Sequence, residues 1–185
     1  MSPPNALTFS SKDGASVFNS GQSGRFRLDQ GSFACNRGLL NGEDKMPNYD
    51  QSNIFAKILR GEIPCHKVYE DAKVLAFLDI MPRAPGHTLV IPRAPARNIL
   101  DVAPEDFAHV MTVAQRIAKI SVNVFGADGV TLQQFSEPAG GQVVFHLHVH
   151  VIPRKDGIAL KPPASVKEAP EVLKDQAAKL AAALG

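Results

Sequence analysis

Hydrophobic and polar positions divide the chain unevenly. From Ser52 onward they alternate with clear periods. Ile54, Phe55, Ile58 and Leu59 fall at helical spacing. Ser52 or Asn53 can cap that short helix through a side-chain oxygen, and Gly61 can stop it. Two β-rich runs follow, Lys67–Glu70 and Lys73–Ile80, joined by a tight acidic turn. Pro82, Pro85 and Gly86 mark a bend before a third run, His87–Pro92. Over Leu100–Phe125 the residues Phe107, Val110, Met111, Ala114, Ile117, Ile120 or Ser121, and Val124 form one apolar stripe. Pro104 suits the first turn of that helix, with Glu105 and Asp106 at its positive end, and Gly126 ends it. Val130–Phe135 reads as a fourth strand, Pro138–Gln142 as a loop and Val143–Pro153 as a fifth strand. An Ala-, Lys- and Glu-rich helix over about 166–184 closes the chain. Strand hairpins with segregated helices predict an α+β fold, not a doubly wound one.

Residues 1–47 lack any such period. They hold six of the fourteen glycines and are rich in Ser and Asn. Such a segment buries too little apolar surface to offset its ordering entropy. We expect residues 1–47 to be a disordered extension, with 1–45 stemming from an upstream start codon or forming an arm. The folded domain is expected over 48–185. Neither a secretory signal nor a mitochondrial presequence fits, since no apolar block follows a basic start and acidic residues interrupt the segment.

Composition narrows the function classes. The 185 residues carry 20 Lys+Arg against 18 Asp+Glu, a net charge of +2. That balance argues against a nucleic-acid or membrane partner. The two cysteines, Cys35 and Cys65, make neither a disulfide framework nor a zinc knuckle. A reducing, cytoplasmic setting is expected.

The informative chemistry lies in Val143-Val144-Phe145-His146-Leu147-His148-Val149-His150-Val151-Ile152. In a strand, Phe145, Leu147, Val149 and Val151 share one face, and His146, His148 and His150 share the other. Three readings compete: a half-exposed strand with a histidine face, a metal site, or nucleophilic catalysis by imidazole. Neutral imidazole can attack without first losing a proton, and its neighbours can orient it and protonate a leaving group. The preceding loop contains Gly140 and Gly141, whose backbone N–H groups could approach a phosphate.

These residues resemble a known family. His146-Leu-His148-Val-His150-Val-Ile matches the histidine-triad (HIT) signature. Ser52–Pro64, Phe77-Leu-Asp79-Ile80 and Ala84–Pro92 look like further blocks of its Hint-like branch, in the right order. The resemblance spans about residues 48–154. It implies an antiparallel five-stranded sheet with one long and one short helix, usually paired into a homodimer. It implies a nucleoside phosphoramidate or AMP-conjugate hydrolase acting at the α-phosphorus, with no cofactor and no metal. A dinucleoside polyphosphate hydrolase and a low-turnover nucleotide-binding scaffold are the alternatives. His148 would be the nucleophile, held by the carbonyl of His146. His150 would contact a phosphate oxygen, and His87 would support it. Ile54, Phe55 and Ile58 would face one side of a base with Phe77 on the other. Asp79 would bind the ribose and Ile80 would pack beside it. Ser136, Gly141, Gln142 and Val143 would line the phosphate. Ser136 stands where many relatives carry Asn, and Val143 where Ser or Thr is common, which predicts slower expulsion of the leaving group.

Overall fold

The computed structural model describes residues 48–185, so the reading of residues 1–47 lies outside the described residues. Helix α1 (Ile54–Leu59) begins where the Asn53 side chain accepts from the Ala56 N–H at 2.9 Å. It ends ahead of Gly61, whose φ of +77° suits glycine. Five strands follow the predicted order: β1 (Lys67–Glu70), β2 (Val74–Leu78), β3 (Thr88–Pro92), β4 (Gly129–Gln133) and β5 (Val149–Arg154). They form one antiparallel sheet in the order β1-β2-β3-β5-β4, leaving β4 at an edge.

Helix α2 (Pro104–Phe125) starts four residues later than its apolar pattern suggests. Ala103, immediately before Pro104, is extended at φ −63° and ψ 135°, because proline's ring disfavours helical geometry in the residue before it. The same rule trims α3 (Pro170–Leu184), which begins at Pro170 and not near Val166.

The sheet is apolar on both faces. Val74, Ala76, Val90, Val149 and Val151 pack against Val110, Ala114 and Ile117 of α2. Leu75, Phe77, Leu89 and Ile91 point the other way and meet Phe55 of α1. Each fully buried aliphatic side chain contributes roughly 1.5–3 kcal/mol. At the β1 edge, α3 covers Val68 and Leu78 with Leu173, Ala177 and Leu180. Among the described residues, no helix is long and apolar enough to cross a membrane.

The fifth strand is shorter than its sequence pattern. Val144–His146 form a bend, and regular pairing begins at Val149. The N–H of Leu147 donates instead to the Ala96 carbonyl at 2.8 Å. Phe145 therefore leaves the apolar face assigned to it and lies under the Arg97 guanidinium, 3.9 Å from its ring centre.

Candidate active site

A cleft of about 430 Å³ opens on the sheet face opposite α2. His148 and His150 reach it from β5 and the residues just before it. His87 reaches it from the start of β3, Asp79 from the end of β2, and Ile54, Phe55 and Ile58 from α1. Phe77, Ile80, Gly141 and Val143 complete the predicted residues on its wall.

The hydrogen bonds assign a proton to each imidazole. The His146 carbonyl can only accept, and it lies 2.7 Å from Nδ1 of His148. Nδ1 therefore carries the hydrogen, and the Nε2 lone pair is left without a partner among the described residues. Behind it, the Arg83 main-chain N–H donates to Nδ1 of His87 at 3.2 Å. His87 must then hold its hydrogen on Nε2, which donates to Nδ1 of His150 at 2.9 Å. His150 consequently presents an Nε2–H. The rings of His148 and His150 meet edge to face at 5.0 Å. A lone pair and an N–H donor stand side by side in one cleft.

Burial keeps these rings neutral. It lowers His148 below its ordinary value, against the opposing pull of the His146 carbonyl. Burial, with the positive charge of Arg83, holds His87 at about 4. Burial and the neighbouring His148 and His87 hold His150 at about 3.

His146 lies apart from the cleft wall and is fully buried. Its Nε2–H donates to the Pro92 carbonyl at 2.9 Å, and Tyr49 Oη–H donates to its Nδ1. Its ring thereby fixes the carbonyl that orients His148.

Four expectations need correction. Phe55 and Phe77 touch edge to face, with centres 5.6 Å apart, so no base fits between them. They form one apolar floor, from which Ile54 and Ile80 stand out, each 43% exposed. The glycine loop, a 3-10 turn at Pro138–Gly140, spends its N–H groups on itself. Those of Gly140 and Gln142 donate to the Glu137 carbonyl, and that of Gly141 to the Pro138 carbonyl, each at 3.0 Å. Val143, 85% exposed, keeps its N–H outside that set. Gln142 is turned inward. Its amide donates to the carbonyls of Arg97 and Val144 and accepts from Glu137 N–H and Asn98, so its side chain holds the loop instead of facing the cleft. Ser136 also lies off the cleft wall, with its hydroxyl donating to Gln134.

The loop carries strain. Glu137 sits at φ 61°, ψ 166°, a region nearly reserved for glycine. Arg97 grips its carboxylate with two bonds, at 2.6 and 2.9 Å, and Asn98 adds a third at 2.7 Å. This clamp escaped the sequence reading, because Arg97 and Glu137 are 40 residues apart. Arg83, Gln133, Phe135, Pro163 and Ala164 on the cleft wall were missed as well. Of these, only Arg83 had a nearby signal, the Pro82–Pro85 bend.

Asp79, His87 and His150 place one donor atom each within 4.8 Å of one another, the one such trio among the described residues. Both nitrogens of His87 already have partners, and Asp79 accepts from the Met81 N–H at 2.8 Å.

Residues 60–157 match the HIT domain family, slightly over half of the chain. An Arabidopsis thaliana protein named adenylylsulfatase HINT3 is 36% identical over 124 residues, 66% of this chain and 62% of that protein. A solved Hit-like protein from Bartonella henselae, described as involved in cell-cycle regulation and holding an unknown ligand, is 50% identical. It superposes with a TM-score of 0.71 over 74% of this chain and 99% of that one. A zinc-bound histidine triad family protein from Mycobacterium smegmatis is 36% identical, with a TM-score of 0.63 over 72% and 94%.

Proposed function

This chain belongs to the HIT family, and from that premise we propose that it hydrolyses a purine nucleoside phosphoramidate or a related AMP conjugate at the α-phosphorus. The observation that carries the proposal is the 2.7 Å bond from His148 Nδ1–H to the His146 carbonyl, which aims the unprotonated Nε2 into the cleft.

The chemistry follows from the assigned protons. His148 Nε2 attacks phosphorus, forming a P–N bond as the bond to the leaving nitrogen breaks. The departing amine takes a proton from a water in the cleft, while His150, held by the Nε2–H of His87, keeps its own Nε2–H as a hydrogen-bond donor to the phosphoryl group. The hydroxide left by that water attacks the nucleotidyl-histidine, which restores neutral His148 and releases AMP. His148 Nδ1–H stays on the carbonyl throughout and stabilises the cationic ring of the intermediate. The apolar floor of Phe55 and Phe77 takes the base by stacking and burial, with Ile54 and Ile80 at its margins. The carboxylate of Asp79, on the cleft wall, would accept hydrogen bonds from ribose hydroxyls.

The adenylylsulfatase name of the Arabidopsis relative supports AMP conjugates as the substrate class. The homodimer that the family resemblance implies would use α2 and the open edge of β4, in a reducing cytoplasmic setting.

The test compares wild type with His148→Ala on adenosine 5′-phosphoramidate, following AMP by chromatography and trapping labelled protein by acid quench. Wild type should release AMP and carry label, and the variant should do neither. AMP release at equal rates by both would overturn the reading.

A further inference from the structure

Arg83 is the one Lys or Arg on the cleft wall. Its guanidinium is held by neutral acceptors alone. Nε donates to the Lys161 carbonyl at 2.9 Å, and Nη1 to the Gln133 side-chain oxygen at 3.2 Å. No carboxylate pairs with it among the described residues. A cation fixed in this way keeps its full attraction for an incoming anion and pays little side-chain entropy to receive it.

Its place in the cleft is informative. Gln133, which holds Nη1, pairs across the sheet with His150. Phe55, part of the apolar floor, lies against His148, with ring centres 5.1 Å apart. A conjugate whose nucleoside rests on that floor therefore extends its other substituent past His150 toward Arg83.

Beyond Arg83 lies a second cavity of about 280 Å³, and Arg83 is the residue the two share. Arg154, Lys155 and Lys161 also line it, and no Asp or Glu does. Lys155 and Lys161 are paired with Asp128 and Glu168, but the Nε of Arg154 is buried without a partner. Part of this wall, Ile158–Lys161, lies past residue 157, where the HIT family match ends.

We propose that Arg83 selects AMP conjugates whose leaving amine carries a carboxylate, with the adjoining cavity receiving the remainder of that leaving group. The proposal rests on the hydrolase reading above and names its substrate class.

The probes are the adenosine 5′-phosphoramidates of glycine and of glycinamide, which differ by one charge. The readout is the acid-to-amide ratio of kcat/KM, which cancels any change common to both substrates. Arg83→Met should lower that ratio at least ten-fold, and Arg83→Lys should restore most of it. In wild type the ratio should fall as ionic strength rises, a measurement independent of how the variants fold. An equal ratio in wild type and Arg83→Met, or a ratio indifferent to salt, overturns the proposal and leaves the hydrolase reading intact. Release of AMP from neither substrate overturns both.

Discussion

Gly86→Ala tests how the bend before β3 delivers His87 to the site. Gly86 has φ +77°, and a Cβ there would lie 2.6 Å from Cδ2 and 2.8 Å from Cζ of Phe125, and closer still to Cε2. Two costs are therefore separable. A non-glycine residue in left-handed geometry costs about 1–2 kcal/mol. Forcing a methyl against a packed ring costs about 1–3 kcal/mol. Together they predict a loss of about 2–5 kcal/mol, a large share of the roughly 5–15 kcal/mol that holds a typical domain together. Phe125 is part of the α3-side packing, so trimming it has its own cost, and a double-mutant cycle is needed. In a Phe125→Ala background the ring is gone and only the backbone cost remains, so Gly86→Ala should then cost about 1–2 kcal/mol. Urea denaturation followed by far-UV circular dichroism measures all four corners of the cycle. Gly86 N–H also donates to Gln176 of α3 at 2.9 Å, and its carbonyl accepts from Thr88, so the strained variant should displace His87 and lower kcat at temperatures where it is still folded. A loss below about 0.5 kcal/mol, within the range of ordinary surface substitutions, would refute the reasoning. So would an equal loss in both backgrounds.

Two further outcomes follow from the site. Because burial depresses His148 below 6.5 and holds His87 near 4 and His150 near 3, the neutral rings persist into acid. Activity should then fall only as pH drops through those lowered values. An acid limb in the kcat/KM profile at or above pH 6.5, on protein shown to be folded, would contradict this. At Glu137 the usual order of substitutions should invert. Glu137→Gly relieves the φ 61° strain that Glu137→Ala retains, so the glycine variant should show the higher urea midpoint. A lower midpoint for glycine would show that the backbone there is not strained. Both variants lose the Arg97 clamp and should slow AMP release.

The elements were legible because each carries a local signature. The strands β2 and β3 are buried on both faces, and their unbroken apolar runs announced it. The α2 stripe was read correctly, and its early start was an error only because Pro104 acts on the residue before it. The alternation of faces held where strand geometry holds, placing Val149 and Val151 in the core and His148 and His150 on the cleft. It failed over 143–146, and the reason is long-range. His146 is held by Tyr49 and Pro92, which lie 97 and 54 residues away, and Leu147 bonds to Ala96. Those partners bend the chain out of strand geometry just before β5. The bend turns the His146 carbonyl back onto His148, which an ideal strand would direct at a neighbouring strand instead. The motif thus brings His148 and His150 to the cleft and supplies the His146 carbonyl that holds the His148 proton on Nδ1, but the protons on His146 and His87 are set by main-chain groups outside it: the carbonyl of Pro92 and the N–H of Arg83. The glycine loop makes the same point. Gly140 and Gly141 looked like phosphate donors by type, yet the turn consumes their N–H groups. On the proposed reading, attraction for phosphate falls to the His150 Nε2–H and the Val143 N–H, and Arg83 adds a positive charge on the same wall for the leaving group. In a chain of net charge +2, one unpaired guanidinium in the cleft outweighs the overall balance, because an anion in the cleft meets it at close range while surface charges beyond about 10 Å are screened.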